Sequence, residues 1–159
     1  MIFRQWEQVL DGTKTQMRQL VKEGERAVNL HGRIVPDYVW GNTIDAVYSS
    51  NGGKKWQVWH AYAIQPGRGK KAVGHIRVTG IRRERLQDIS FNDMLCEGYP
   101  IALFSYTGNF NKNPVVDDWF MALWDSINIK RGTRWIDNPE VWCLSFELVD
   151  CLARMTITR

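Results

Sequence analysis

The pattern of hydrophobic and polar positions divides the chain into a helical start, a β-rich middle and a mixed second half. The apolar residues of 3–10 recur at helical spacing and Gly12 follows as a natural stop, which predicts a short first helix. Residues 13–18 show no clear period. The mixed pattern of 19–43 predicts loops and at most one short strand.

From Ile44 to Ile81 the pattern is typical of strands joined by tight turns. Asn51-Gly52-Gly53 is a strong turn signal between the strand-like runs 46–48 and 56–59. A second turn at 66–69 separates 59–64 from 72–81, where small and apolar residues alternate with polar ones. The middle of the chain therefore predicts antiparallel hairpins, the last strand having a basic and polar outer face.

After residue 86 the pattern becomes helical and then returns to a strand. Ser90 can cap a short helix that Gly98 ends, and a longer amphipathic helix is predicted over about 115–127. Over 141–149, large apolar residues alternate with a second set formed by Cys143, Ser145 and Glu147, as in a strand. No repeat or linker interrupts the chain, so we expect one α+β domain over residues 1–159.

The composition narrows the class of protein. No apolar run approaches the roughly 20 residues of a membrane-spanning helix, and the first residues lack the layout of a signal peptide. We therefore expect a cytoplasmic protein with no membrane partner. The three cysteines show no CxxC spacing and are interpreted as buried free thiols.

Positive charge is concentrated in one stretch of the sequence. The formal net charge is +4, but Pro66 to Arg85 alone carries +6 because only Glu84 opposes its basic residues. Those basic residues are Arg68, Lys70, Lys71, Arg77, Arg82, Arg83 and Arg85. Such a ribbon is typical of a phosphate-contacting surface, but a solvated hairpin has the same charge pattern, and charge alone leaves both open.

Three familiar kinds of chemical site are not supported by the sequence. His60 and His75 could face one another across a hairpin, but without a third ligand we interpret them as a polar cross-strand pair rather than a metal site. The G-x-G-x-x-A text at 67–72 joins two strands, whereas a dinucleotide fingerprint opens a helix. No serine or cysteine nucleophile has a recognisable local signature. We expect no metal and no cofactor.

The remaining candidate combines the segment Gly12–Arg18 with Glu97. Lys14 and Arg18 point together whether the segment is helical or extended, and two such cations favour an anion or a carbonyl as ligand. Glu97 lies at the end of a predicted short helix, where the helix dipole opposes its charge. A surface salt bridge would account for these residues equally well.

These segments are where the sequence resembles the ASCH domains of the PUA-like superfamily. That family has a leading helix, then G-x-K-T-Q-T-R, an E-G after a short helix, a Trp-containing helix and a closing strand. The matching segments are Gly12-Thr13-Lys14-Thr15-Gln16-Met17-Arg18, Asp93-Met94-Leu95-Cys96-Glu97-Gly98, Phe120-Met121-Ala122-Leu123-Trp124, Asn128 and Asn138-Pro139-Glu140-Val141-Trp142. Their order and spacing extend the resemblance over about residues 3–149.

The resemblance implies a small curved β-barrel flanked by helices, and RNA or modified nucleosides as ligands. Some single-domain members resemble amidohydrolases that remove the acyl group from N4-acetylcytidine. By position, their catalytic lysine, threonine and glutamate fall on Lys14, Met17 and Glu97. A thioether cannot act as the nucleophile, so only Lys14 and Glu97 remain as candidate catalytic residues.

The leading hypothesis is an ASCH domain that binds nucleic acid, RNA rather than DNA, or a modified nucleobase. Lys14, Gln16, Arg18 and Glu97 would line its pocket. Phosphates would be held by Arg68, Lys70, Lys71, Arg82 and Arg83. A hydrolase acting on acylated cytidine or on RNA, and an interaction module for an acidic protein, are the alternatives.

Overall fold

The structure is a computed structural model that describes residues 1–36, 44–100 and 114–152, with only the backbone described for 114–116. Three α-helices are present in this part of the chain: α1 (Trp6–Leu10), α2 (Phe91–Cys96) and α3 (Pro114–Asn128). The strands are β1 (Gln16–Leu20), β2 (Arg26–Val28), β3 (Ala46–Tyr48), β4 (Lys54–Gln57), β5 (Ala61–Ile64), β6 (Gly74–Arg85) and β7 (Glu140–Cys151). Short 3-10 turns cover Leu86–Asp88, Ile129–Arg131 and Trp135–Asp137.

The strands form two antiparallel sheets. The larger sheet has the order β1-β7-β6-β5, and the smaller has the order β2-β3-β4. The α+β class is therefore confirmed. Within the described residues the two sheets are not closed into a barrel, so the curved PUA-like barrel is not confirmed.

Several predicted elements are present with small shifts in their bounds. The first helix begins at Trp6 rather than Phe3, and both predicted hairpins are formed, by β3 with β4 and by β5 with β6. Ser90 caps α2 through its hydroxyl oxygen, which accepts a hydrogen bond from the Asp93 amide at 3.1 Å. The long helix spans Pro114–Asn128, and β7 extends the predicted strand to Cys151.

The first strand is the element that the sequence pattern did not predict. Gln16 to Leu20 pair with β7 over five residues, from Gln16 opposite Ser145 to Leu20 opposite Val141. The short strand β2 lies in 19–43, as expected, while residues 37–43 are outside the described part.

The buried hydrophobic side chains form two clusters. The larger packs α1 and one face of the four-stranded sheet, with Val9, Ile76, Ile81 and Leu144 at most 1% exposed. The smaller lies between α2 and α3 and includes Phe120 at 2% exposure. Fully burying such a side chain stabilises the fold by about 1.5–3 kcal/mol. Both clusters therefore stabilise the helices and strands that contribute to them. In the described residues, no helix is both long and apolar enough to cross a membrane.

Candidate ligand-binding site

One face of the four-stranded sheet carries polar side chains from three neighbouring strands. Gln16 of β1 lies opposite Ser145 of β7, which lies opposite Gly80 of β6. Two positions along, Arg18 lies opposite Cys143, and Cys143 lies opposite Arg82. Because directly opposite residues of a sheet share a face, these residues form one polar surface.

Lys14 and Glu97 meet at the edge of this polar face. The Lys14 ammonium donates to Glu97 Oε2 at 2.7 Å and to the Glu97 carbonyl oxygen at 2.9 Å. The backbone holds the pair in position, since the Lys14 amide donates to the Gln8 carbonyl at 3.0 Å and the Thr15 amide donates to the Cys96 carbonyl at 2.8 Å. Lys14 is 6% exposed and Glu97 is 3% exposed. The pair is buried, not a surface salt bridge.

The glycine after Glu97 is favoured by its backbone conformation and lies close to the Gln8 side chain of α1. Gly98 has φ +102°, and a Cβ built there would meet the Gln8 side-chain oxygen at 2.2 Å. Gly12 also has positive φ, +83°, at the end of α1, although no neighbour crowds it. The two glycines of the motifs thus set the backbone paths that bring Lys14 to Glu97.

Arg18 joins the pair to a larger network of charges. Its Nη1 donates to Glu97 Oε1 at 2.9 Å, and its Nε donates to Glu84 Oε1 at 2.7 Å. Arg82 donates to the other Glu84 oxygen at 3.1 Å and to Asp93 Oδ2 at 2.6 Å. Arg18 Nη2 lies 3.2 Å from the same Asp93 oxygen.

The network balances three cations against three carboxylates. The cations are Lys14, Arg18 and Arg82, and the carboxylates are Glu84, Asp93 and Glu97. Glu97 is the last residue before the Gly98 turn of α2, and its contacts with two cations offset the unfavourable end of the helix dipole.

The electrostatics fix the charge state of the groups in this network. Burial lowers the pKa of Arg18, but the carboxylates Glu97 and Glu84 contribute to raising it above its ordinary value. Burial raises the pKa of Asp93, yet Arg18 and Arg82 lower it by more, so that carboxyl ionises more readily than usual. Both ends of the network therefore stay charged at neutral pH.

A cavity of about 220 Å³ opens beside the network on the same polar face. It is lined by Thr79, Gly80, Ile81, Arg82, Cys143 and Ser145. Arg82 belongs to both the cavity wall and the ion network, and the Cys143 thiol donates to the Gln16 side-chain oxygen at 3.7 Å. Because the cavity is smaller than the roughly 300–1,000 Å³ of drug-sized pockets, it suits a small ligand. Hydroxyl, guanidinium and thiol groups on its wall can hydrogen-bond such a ligand.

Met17 lies on the other face of β1 from Gln16 and Arg18. It is 9% exposed and belongs to the larger hydrophobic cluster. The position that the ASCH resemblance assigns to a nucleophile is thus part of the core here. Cys143 does not replace it, because burial raises the pKa of its thiol to about 12 and the nucleophilic thiolate is scarce at neutral pH.

The basic ribbon is divided by the structure into separate places. Arg68, Lys70 and Lys71 are exposed at the turn between β5 and β6. Arg82 lies on the polar face, roughly 26 Å along β6 from Gly74 at about 3.3 Å per residue. The three turn cations and Arg82 are therefore at opposite ends of one strand.

Arg83 points to the opposite face of β6 from Arg82. It pairs with Glu140, and its guanidinium lies 5.3 Å from the centre of the Trp142 ring. It lines a second cavity, of about 520 Å³, in which Lys22, Arg85 and three carboxylates also take part. Arg82 and Arg83 therefore lie on opposite faces of β6 and have different carboxylate partners.

The expected cross-strand pair of His60 and His75 is wrong. The register of β5 and β6 places His75 opposite Ala63, and the His75 ring nitrogen lies 2.9 Å from Asp150 Oδ1 of β7. His60 lies in the turn before β5, where its carbonyl accepts from the Val78 amide. Among the described residues there is no group of three or more side chains placed to hold a metal ion.

Glu84, Asp93, Cys143 and Ser145 are among the members of the site that the sequence did not single out as ligand-binding residues. Glu84 and Asp93 enter the network through pairing with Arg18 and Arg82, and in the sequence Asp93 was noted only as the first residue of a segment that matches the ASCH motifs. Cys143 and Ser145 had a usable signal, because they alternate with the large apolar residues of β7. Their position opposite Arg18 and Gln16 required the register of β1, which the pattern did not supply.

Comparison with known proteins finds solved structures with a similar fold, but no family that the sequence matches. No family model matches the chain, and no curated protein matches it. A crystal structure of a protein from Enterococcus faecalis V583, described by the family model DUF984, is similar with a TM-score of 0.55 and 14% identity. That similarity covers 97% of this chain and 72% of the other. This chain shares that protein's fold.

The solved structures similar to this chain also include an ASCH domain from Lactobacillus crispatus JV V101. Its TM-score is 0.49 at 15% identity, and the similarity covers 90% of this chain and 69% of that one. At these identities the likeness concerns the fold alone.

Proposed function

We propose that this chain binds nucleic acid, with RNA as the favoured ligand, or a modified nucleobase, and that a base occupies the cavity on the polar sheet face. The observation that carries the proposal is the network of six charges beside that cavity, in which Lys14, Arg18 and Glu97 are buried and to which Arg82 of the cavity wall also belongs. Burying ion pairs requires stripping them of water, and replacing them by apolar residues is often neutral or stabilising. Stability alone therefore does not account for the network, whereas fixed donors and acceptors beside a cavity suit ligand recognition.

The cavity offers complementary partners to the edge of a base. Arg82 can donate to a ring nitrogen or a carbonyl, while the hydroxyls of Thr79 and Ser145 can donate or accept. Lys14 and Glu97 do not line the cavity, and their role in this proposal is to hold Arg18, and through Glu84 and Asp93 also Arg82, in one orientation. Arg68, Lys70 and Lys71 at the exposed turn would contact phosphates further along the strand.

Binding of short RNA, measured by fluorescence anisotropy across a range of salt concentrations, tests the proposal. Three phosphate contacts at the turn predict a log–log salt slope of about −2, since each contact to a single strand contributes about −0.7. The triple variant Arg68→Ala, Lys70→Ala, Lys71→Ala should flatten that slope. Undetectable binding of both RNA and DNA at low salt would contradict the proposal.

A cavity-filling variant tests the location of the base. Ser145→Leu places an apolar side chain into the cavity and should weaken binding at least tenfold, because the base loses both space and a hydroxyl partner. The matched control is Ser126→Leu on the exposed side of α3, which should bind as the parent protein does. Equal affinities of the two variants would place the base elsewhere.

A hydrolase acting on N4-acetylcytidine is the second candidate, favoured by the 2.7 Å contact between Lys14 and Glu97. Without a nucleophile at position 17, the reaction would require Glu97 to activate a water molecule and Lys14 to stabilise the oxyanion. Incubation with N4-acetylcytidine followed by chromatography tests for released cytidine. Activity unchanged in Glu97→Gln would exclude this role.

A further inference from the structure

Trp59 is exposed in a way that its own packing does not explain. It is 66% exposed and is the one aromatic among the large hydrophobic side chains that stand exposed in the described residues. It lies in the turn between β4 and β5, outside both hydrophobic clusters. A tryptophan so placed contributes little burial to the fold.

The backbone at Trp59 is also held in a conformation that tryptophan disfavours. Its φ is +69°, in the left-handed region that favours glycine, and only one other non-glycine residue of the described chain has positive φ. Hydrogen bonds fix this geometry: the Trp59 amide donates to the Val78 carbonyl at 2.6 Å, and the Val78 amide donates to the His60 carbonyl at 3.1 Å. Residues strained in this way cluster at ligand-binding sites, because surrounding structure must hold them.

The same hydrogen bonds attach the backbone of Trp59 to β6 one residue before the part of that strand that lines the candidate cavity. Val78 directly precedes Thr79 and Gly80, which line the cavity, and the register of β6 on β7 shifts between Val78 and Gly80. The irregularity turns the Thr79 segment at the point where the Trp59 turn is attached. The turn that carries the exposed indole is therefore bonded to β6 at Val78, next to Thr79 of the cavity wall.

We propose that Trp59 is a stacking platform for the base next to the one in the cavity, so that the ligand is a single-stranded oligonucleotide rather than a free base or nucleoside. This inference rests on the proposed function and extends it to a second base. Exposed aromatic rings that stack bases beside a positively charged path are the usual means of binding single strands.

The charges along β6 fit a strand that passes Trp59. Arg77 lies on the polar face two residues before Thr79, where its side chain is 42% exposed and its guanidinium contacts Glu147 at 3.3 Å. Beyond it are the exposed cations Lys70 and Lys71 of the turn. A single strand leaving the cavity would meet the indole first and these cations afterwards.

Binding of a fluorescently labelled six-nucleotide cytidine RNA and of free cytidine to the same variants tests this inference. Trp59→Ala should weaken binding of the hexanucleotide roughly 5- to 150-fold, as expected for the loss of one stacked base, and should leave the affinity for cytidine unchanged. Trp59→Phe should retain most of the affinity. Leu30→Ala, which removes an apolar side chain 82% exposed in the turn after β2, is the control and should bind as the parent does.

Trp59→Gly separates backbone from side chain, because glycine adopts φ +69° without strain. It should melt at the same or a higher temperature than the parent while binding the hexanucleotide as weakly as Trp59→Ala. Parent-like hexanucleotide binding by Trp59→Ala or Trp59→Gly would overturn the inference while leaving the cavity proposal in place. A parallel loss of cytidine binding would overturn it too, since the ring would then contact the base in the cavity. If the parent protein binds neither ligand, the proposed function itself fails and the inference fails with it.

Discussion

Removing the charge of Glu97 tests how much its ion pairs with Lys14 and Arg18 contribute to the stability of the fold. Glu97→Gln keeps the shape of the side chain and one acceptor oxygen, but it leaves Lys14 and Arg18 facing a neutral partner. Breaking a buried ion pair by neutralising one partner destabilises a protein by about 3–5 kcal/mol. Lys14 retains its contact with the Glu97 carbonyl at 2.9 Å, and Arg18 retains Glu84, so we expect a loss of about 3 kcal/mol.

Urea unfolding followed by tryptophan fluorescence measures this loss, because urea is uncharged and leaves the ion pairs unscreened. The matched control is Glu147→Gln, because the Glu147 side chain is 53% exposed and its carboxylate pairs with Arg77 at 3.3 Å. An exposed pair contributes at most about 1 kcal/mol, so the control should change little. If both variants lose less than about 1 kcal/mol, the buried pairing is refuted.

A double-mutant cycle isolates the pair itself. Lys14→Met removes the cation, and the combination with Glu97→Gln should be less destabilising than the sum of the single changes, with a coupling of about 1–3 kcal/mol. Additive effects would show that Lys14 and Glu97 do not contact each other in solution.

Three further predictions concern other residues of the site. Burial raises the pKa of Asp93, but its arginine partners and hydrogen bonds lower that pKa by more. The Asp93 carboxylate therefore contributes to stability above the unfolded-state pKa near 3.8, and this contribution is lost as the pH falls below that value. The urea midpoint should fall less between pH 7 and pH 3 in Asp93→Asn than in the parent. Gly98→Ala should destabilise more than Gly12→Ala in thermal unfolding, since only the former drives a Cβ into the Gln8 side-chain oxygen, and adding Gln8→Ala should recover part of the difference. Cys143 should resist labelling by iodoacetamide at pH 8 in the folded protein, because its thiol is buried and has a pKa raised to about 12. Mass spectrometry measures the labelling, and a rate equal to that of the two half-buried cysteines would contradict the prediction.

The elements that the sequence predicted are those with strong local signals. The turn at Asn51-Gly52-Gly53 and the Ser90 cap depend on residues within a few positions of one another. β1 lacked such a signal because both its faces are buried, one against the core through Met17 and the other within the network through Gln16 and Arg18. Buried polar residues remove the alternation of hydrophobic and polar positions by which a half-buried strand is detected.

The site was predictable to the extent that its residues lie in motifs. Lys14, Arg18 and Glu97 were candidates from their charge and position and lie in the motifs of the ASCH resemblance, and the structure brings them within hydrogen-bond distance. Glu84 and Asp93 depend on pairing across strands and helices that are distant in sequence. Such contacts follow from the register of β1 on β7 and of β7 on β6, which a pattern of residue types does not specify.

The same register explains why the basic ribbon does not act as one surface. Arg82 and Arg83 are neighbours in sequence, but alternation along β6 directs them to opposite faces, one to the Asp93 carboxylate and the other to Glu140. The summed charge of residues 66–85 counts both arginines together, whereas the sheet places them on different faces.

Mapping an RNA ligand onto the backbone amides by NMR tests the central claim most directly. Titrating the isotope-labelled protein with a short single-stranded RNA should shift the amide signals of Thr79–Arg82 and Cys143–Ser145, which surround the cavity. The signals of the smaller sheet, including β2 and β3, should stay in place. Shifts that leave the cavity residues unchanged while others move would contradict the account of this polar face as the binding site.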